Sequence, residues 1–311
     1  MGTALRIGTR GSPLALVQAA IVRERLAATG KVDPSAIETV IIKTSGDRIQ
    51  DRSLADIGGK GLFVKEIEEA LLDRHIDIAV HSLKDLPAWL PDGLVVAGVL
   101  PREDPRDALL SPVARTIGGL PQGARVGTSG PRRRAILLHS RPDLRIVDLR
   151  GNVETRLAKL QAGVADATLL AVAGLARLGL CVDHHPLDPS EMLPSGGQGA
   201  IGLETRDDDD STRAICAAIG DSDAETELAA ERAFLAVIDG SCRTPVGALA
   251  RVSPGSVRLE TLVVRPDGSA LIRRSGESAR ADAAALGSEI GRAIRADMPA
   301  DFFAAAGLSH G

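Results

Sequence analysis

The chain is predicted to be an α/β protein with two lobes flanking a central cleft and a third, smaller α/β unit. Three observations carry that expectation. Short apolar runs alternate with helix-like runs over the first two-thirds, the pattern of βα units and mostly parallel sheets. The alternation pauses at "PREDPRD" (101–107) and then restarts, as in a chain that crosses into a second lobe. A Gly-rich and then apolar stretch, "LPSGGQGAIGLETR" (193–206), reads as the return crossing, and two crossings between lobes make a hinge. The domains expected are 1–100 with 195–217, then 104–194, then 220–311.

In chain order, "ALRIGTR" reads as a strand. Ser12 is placed to cap the helix that follows and Pro13 to occupy its first position, the two sites where those residues are favoured. Leu14, Val17 and Ile21 predict that helix's apolar face. "IETVIIKT" is a strand, "GLFVKEIEEALLDRH" a helix, "IDIAVHSLKD" a strand with a polar end, and "LVVAGVL" the last strand before the crossing. Beyond it come strand "ARVGTSG", helix "PRRRAILLHSR", strand "RIVDLRG", helix "NVETRLAKLQAG", strand "ATLLAVAG" and helix "LARLGL". The C-terminal unit opens with helix "AETELAAERAFLAVI". Strands follow, with a hairpin around "RPDG", and the unit closes with helix "ADAAALGSEIGRAIRADM".

A length of 311 residues allows two or three cores, and 44% hydrophobic with 25% charged residues is an ordinary globular composition. Aromatics are 2% with no Tyr, so Ala, Val, Leu and Ile must fill the interior and single-stranded nucleic-acid stacking is disfavoured. The net charge of −4 exerts no overall pull on polyanions. No basic and then apolar leader and no apolar run of about 18 residues is present, so a cytoplasmic protein without a membrane partner is expected. Cys181, Cys216 and Cys242 lie far apart without CxxC spacing, which suggests neither zinc nor a disulfide framework. His184 and His185 in "DHHPLD" lack partners at ligand spacing and read as a solvated loop, and "DDDD" (207–210) reads as a connector. No metal is expected.

Charge is concentrated locally. Residues 124–177 hold nine Arg and one Lys against four acidic residues, or 10 − 4 = +6. Arg132, Arg133 and Arg134 sit at a strand-to-helix junction, Arg150 ends a strand, Arg156 is in the first turns of a helix and Arg177 follows another strand. Strand carboxyl ends line the ligand crevice of open α/β sheets, and helix N-termini there favour anions. Arginines at such junctions suit a ligand with several carboxylates or phosphates. The competing reading is a solvated basic face. Nucleic acid is a weaker alternative, because no recognised binding pattern accompanies the charge.

In the first lobe Arg10 and Ser12 occupy a similar junction, and "HSLKDLP" puts Ser82, Lys84 and Asp85 at another. A carboxylate beside a lysine in a cleft can stabilise a cationic intermediate and relay a proton, and it can equally be a surface ion pair. "GGKGLF" (58–63) lacks the spacing of a phosphate loop. Cys242, in the turn "GSCRTP" beside Arg243, is open to three readings: an inert small side chain, a metal ligand, or a nucleophile activated by positive surroundings.

Eight stretches in order, "RIGTRGSPLALVQA", "GGKGLFVKEIE", "IAVHSLKDLP", "REDPRDA", "LRGNVETRLAKL", "AVAGLARLGL", "GQGAIGLE" and "GSCRTPVGA", resemble the porphobilinogen deaminase family over residues 5 to about 250. The resemblance implies two lobes like those of a periplasmic binding protein plus a third domain. It also implies head-to-tail joining of four porphobilinogen molecules, with ammonia loss, into linear hydroxymethylbilane. It implies a dipyrromethane cofactor on Cys242 through a thioether, and Asp85 as the catalytic group. Ser82, Lys84, Asp85, Thr128, Ser129, Arg132 and Arg133 are then cofactor contacts. Arg10, Ser12, Gln18, Arg150, Arg156 and Arg177 bind substrate, while Lys60 and Phe63 belong to a mobile loop. A monomer with only a small-molecule substrate is expected. The sequence departs from the family pattern at Gly130, Pro131, Ser241 and Asp56. The rival is a non-catalytic bilobal anion-binding protein.

Overall fold

The computed structural model describes residues 4–48, 64–238 and 244–303. Before the first crossing it forms β1 (Leu5–Thr9), α1 (Pro13–Ala28), β2 (Ile37–Ile41), α2 (Ser45–Arg48), α3 (Lys65–Leu72), β3 (Ile78–Ser82) and β4 (Leu94–Val99). The second lobe holds β5 (Asp107–Leu110), β6 (Arg125–Gly127), α4 (Pro131–Ser140), β7 (Arg145–Val147), α5 (Val153–Gln161), β8 (Ala167–Ala171), α6 (Val172–Arg177) and β9 (His185–Pro186). The chain then returns as β10 (Ile201–Arg206) and α7 (Asp210–Ala217). The third unit comprises α8 (Ser222–Ile238), β11 (Val246–Ser253), β12 (Ser256–Val264), β13 (Leu271–Ala279) and α9 (Ala283–Asp297).

Each lobe is a five-stranded sheet, ordered β2-β1-β3-β10-β4 in the first and β7-β6-β8-β5-β9 in the second, while the third unit is a three-stranded antiparallel meander. The lobe sheets are more mixed than expected. β1 runs parallel to β2 and β3, and β6 to β7 and β8. β10 is antiparallel to both its neighbours, and so is β5. These are the first strands after each crossing. A chain arriving from the cleft must start its strand at the cleft and run away from it, against strands that end there. Asp107 consequently lies opposite Ala171, and Ile201 opposite Ser82, at the cleft ends of the sheets.

Strand alternation assigns the two helical layers of the first lobe. Ile78 and Val80 pack in one cluster with Val22 and Leu26 of α1, whereas Ala79 packs with Ile67 and Leu71 of α3. Ser12 caps α1 as expected, its Oγ accepting from Ala15 N at 3.3 Å, with Pro13 at the helix start. The buried face differs from the expected one: Ala15, Gln18, Ala19, Val22 and Leu26 are buried, while Leu14, Val17 and Ile21 are half-buried. α1 is apolar almost all round, so periodicity does not choose a face, and Leu14 is turned toward Gly174 on α6 of the other lobe.

Three further elements depart from the sequence reading. His185–Pro186 is a short strand on β5 rather than a loop. α7 follows β10, capped by Asp209 from the "DDDD" stretch, which accepts from Thr212 N at 3.0 Å. α6 begins at Val172, directly after β8, ahead of the expected start at Leu175, and Arg177 closes it. In the third unit the hairpin around "RPDG" joins β12 to β13, and α8 and α9 bury Phe234, Leu286 and Ile290 against the sheet residues Ala248 and Leu259. Among the described residues no helix is long and apolar enough to cross a membrane.

Candidate active site

β3 delivers the first-lobe groups. Its polar end passes into a single 3₁₀ turn, Leu83–Asp85, which leaves Lys84 and Asp85 half-buried at the cleft end of the sheet. A cavity of about 80 Å³ opens there, lined by Arg10, Ser12, Gln18, Ser82, Lys84 and Asp85 among others. Five expected site residues and the expected catalytic carboxylate thus share one wall. Ser82 follows the parity of Val80 and faces α1, where its hydroxyl and the Gln18 amide lie 2.8 Å apart. Gln18 is 2% exposed, so it acts as the floor behind Ser82. The Arg10 guanidinium is paired with Asp47, which also accepts from the Thr44 hydroxyl at 2.8 Å.

The second lobe supplies the other wall. Thr128 and Ser129 follow β6 and lead into α4, which starts at Pro131 without a side-chain cap. Gly130 holds φ −85 and donates its N–H to Thr128 Oγ1 at 3.2 Å, so glycine is not required there for backbone reasons. Arg132 and Arg133 point inward and are buried. Arg132 donates to Asp107 Oδ2 and to Leu193 O, both at 2.7 Å, and Arg133 donates to Asp107 Oδ1 at 2.7 Å and Leu169 O at 2.8 Å. Asp107 is fully buried; burial alone would raise its carboxyl, but the two guanidiniums outweigh that and hold it far below the usual range.

Asp107 was not visible as a site residue in "REDPRDA", where it marked only a crossing. It converts two buried cations into a cluster of net +1, and it fixes their forks. Arg150 pairs with Asp148 at 3.0 Å, Arg156 donates to Gly151 O at 2.9 Å, and Arg177 to Gly199 O at 2.7 Å. All three are half-buried.

The two walls act on each other electrically. Burial pushes the Lys84 ammonium down to about 8; Asp85 and Asp107 oppose that, while Arg133 and Arg156 add to it. Lys84 retains some exposed surface, but its ammonium end is densely enclosed. Burial likewise lowers Arg156 to about 10, with Arg133 adding repulsion and Asp85 opposing it. Burial lowers Arg177 as well, against the pull of Glu103. Charged groups from β3, α4 and α5 therefore converge across the cleft, and burial disfavours their charge. Carboxylates arriving there would offset that penalty.

Residues 5–214 match the family model "Porphobilinogen deaminase, dipyromethane cofactor binding domain", and residues 226–296 match "Porphobilinogen deaminase, C-terminal domain". The chain belongs to the porphobilinogen deaminase family. The porphobilinogen deaminase of Nitrobacter hamburgensis is 55% identical over 299 residues, covering 96% of this chain and 94% of that protein. That of Paracoccus denitrificans is 53% identical over 300 residues, covering 96% of each. Among solved structures, the periplasmic aliphatic sulphonate binding protein SsuA from Escherichia coli is similar at a TM-score of 0.39 and 18% identity, covering 66% of this chain and 62% of its own.

Membership of the porphobilinogen deaminase family sets aside the reading of a non-catalytic anion-binding protein. It also gives the lone thiol of "GSCRTP" a setting, although Cys242 and Ser241 lie outside the described residues, as do Lys60, Phe63 and Asp56. α8 ends at Ile238 and β11 begins at Val246, so Cys242 lies in sequence between these two elements of the third unit. The other two cysteines differ in kind: burial pushes the Cys216 thiol up to about 12, and Cys181 is exposed on the second lobe.

Proposed function

We propose that this chain is a porphobilinogen deaminase, a transferase that joins four porphobilinogen molecules head to tail into linear hydroxymethylbilane with loss of ammonia. The observation that carries the reading is the convergence of Asp85 with the cations of both lobes in one cleft of a chain from this family. Each porphobilinogen brings two carboxylates, and a growing chain of pyrroles needs the many cations present there.

The cations and hydroxyls along the cleft suit the carboxylates of a dipyrromethane. Lys84, Arg132 and Arg133, with Thr128, Ser129 and Ser82, would hold its carboxylates, and Cys242 would bind it through a thioether. Once bound, the group anchors the product chain and offers the ring carbon to which the first unit is joined. Arg10, Ser12, Arg150, Arg156 and Arg177 would take the carboxylates of the incoming molecule, with Gln18 supporting Ser82. The C–N bond of that molecule breaks, ammonia leaves with the bonding pair, and a cationic azafulvene remains. Asp85 stabilises this positive charge and accepts the proton released when the new carbon–carbon bond is made. The domains are 1–100 with 195–217, 104–194 and 220–311, and the same reading makes the chain a cytoplasmic monomer without nucleic-acid or membrane partners.

Turnover tests the proposal. Purified protein should release one ammonia per porphobilinogen consumed and yield a linear tetrapyrrole, and Cys242→Ser should sustain neither. Binding of porphobilinogen without ammonia release would refute it.

A further inference from the structure

The return crossing carries Gly-Gln-Gly at 197–199. Gln198 is 1% exposed, and both ends of its amide are engaged. Its Nε2 donates to Pro105 O at 2.7 Å and to Asp107 Oδ1 at 3.0 Å. Its Oε1 accepts from Lys84 Nζ at 3.5 Å, the long end of hydrogen-bonding range. The chemistry fixes the orientation: a carbonyl and a carboxylate need the NH₂ end, and an ammonium needs the oxygen. Only a carboxamide answers both.

The two glycines explain how the crossing can aim this side chain. Gly197 has φ +73, and a Cβ there would lie 2.9 Å from the Leu83 carbonyl carbon. Gly199 has φ +88, and a Cβ there would collide with the Glu103 carbonyl oxygen. The crossing is therefore pressed against the Lys84–Asp85 turn on one side and the outgoing crossing on the other. Leu83 N donates to Ala200 O at 3.1 Å, and Glu103 N to Gly199 O at 3.2 Å.

We propose that Gln198 is a positioning residue for the reaction, its amide holding the Lys84 ammonium in register with the Asp107–Arg132–Arg133 cluster of the other lobe. Its place in catalysis rests on the reading of Lys84 as a cofactor contact. Gln198 acts through Lys84 and not on substrate. An acceptor facing the ammonium favours its charged form, against the burial that pushes Lys84 down to about 8. The charged groups facing Lys84 are Asp85 on its own turn, Asp107 on β5, Arg133 on α4 and Arg156 on α5, with Arg10 on the same cavity wall.

The test follows acylation of Lys84 by an amine-selective reagent as pH rises, read by peptide mass spectrometry on the full chain as purified. Gln198→Met keeps the size but loses donor and acceptor, so the reactivity midpoint should fall by about 0.5 pH unit. Gln198→Glu puts a carboxylate beside Lys84, and the midpoint should rise. A merely structural glutamine predicts lower melting temperatures with the midpoint unmoved in both variants, and that result overturns the proposal. Should Gln198→Met not fold, Gln198→Glu decides alone: an unchanged or lowered midpoint overturns it. Turnover is recorded in parallel. Wild-type protein that does not consume porphobilinogen refutes the deaminase reading, whereas the midpoints report on Gln198 either way.

Discussion

Lys84 and Asp85 are adjacent on one 3₁₀ turn, and in the mechanism proposed above their opposite charges divide the work between holding anions and stabilising a cation. A carboxylate fixed by the fold stabilises the charge that develops as ammonia leaves more than it stabilises the bound substrate. Asp85→Asn keeps size and shape but loses the charge, so kcat should fall by about 10²–10³ with the fold intact. Single-turnover measurements on cofactor-loaded protein check this, and deamination at the wild-type rate would remove Asp85 from the mechanism. At this scale the positions of the cations were legible, because charge clustered at strand–helix junctions is a local pattern. Their partners were not. Asp107 between Arg132 and Arg133, and Asp47 beside Arg10, are pairings across the fold that no local spacing announces.

At the scale of elements, α1, β3 and the βα alternation were readable from capping residues and apolar runs. The antiparallel entry of β5 and β10 was not, because strand direction depends on which side the chain arrives from. Gly197 shows what the close approach of β10's leading segment demands. Gly197→Ala must either strain a backbone at φ +73 or push back Leu83 and Lys84. We expect kcat to fall by about 10²-fold through displacement of the turn, with cofactor loading still detectable by mass; unchanged kcat would contradict this. α3 offers a pH test. Glu68 on its inner face meets His81 and Glu204, themselves joined at 2.9 Å, and Glu68 Oε1 and Glu204 Oε1 have no hydrogen-bond partner among the described residues. Burial, then repulsion from Glu204, raises the Glu68 carboxyl from 4.5 to about 7, with His81 opposing. The folded state thus keeps a proton that the unfolded chain has lost, and this site's contribution to stability falls as pH rises from about 4.5 through about 7. Glu68→Gln removes that loss, so its melting temperature relative to wild type should be higher at pH 8 than at pH 5. A difference independent of pH would contradict the shift.

At the scale of the molecule, the third unit is tied to both crossings at once. Arg102 on the outgoing crossing donates to Glu227 at 3.0 Å and to Glu231 at 2.6 Å on α8, and Glu231 also accepts from Gly197 N on the return crossing at 2.7 Å. Glu231 is fully buried and takes Ala250 N of β11 as well, at 2.8 Å. The elements on either side of Cys242 are therefore fastened to both crossings, beside the groups that meet Lys84. In the proposed mechanism a covalent group on Cys242 grows within the cleft. The most direct test is the intact mass of the purified chain before and after a limiting pulse of porphobilinogen. The expected result is a dipyrromethane on the peptide containing Cys242, then a ladder of masses, each step one porphobilinogen less one ammonia. A chain that turns porphobilinogen over while its own mass stays that of the bare sequence would contradict it.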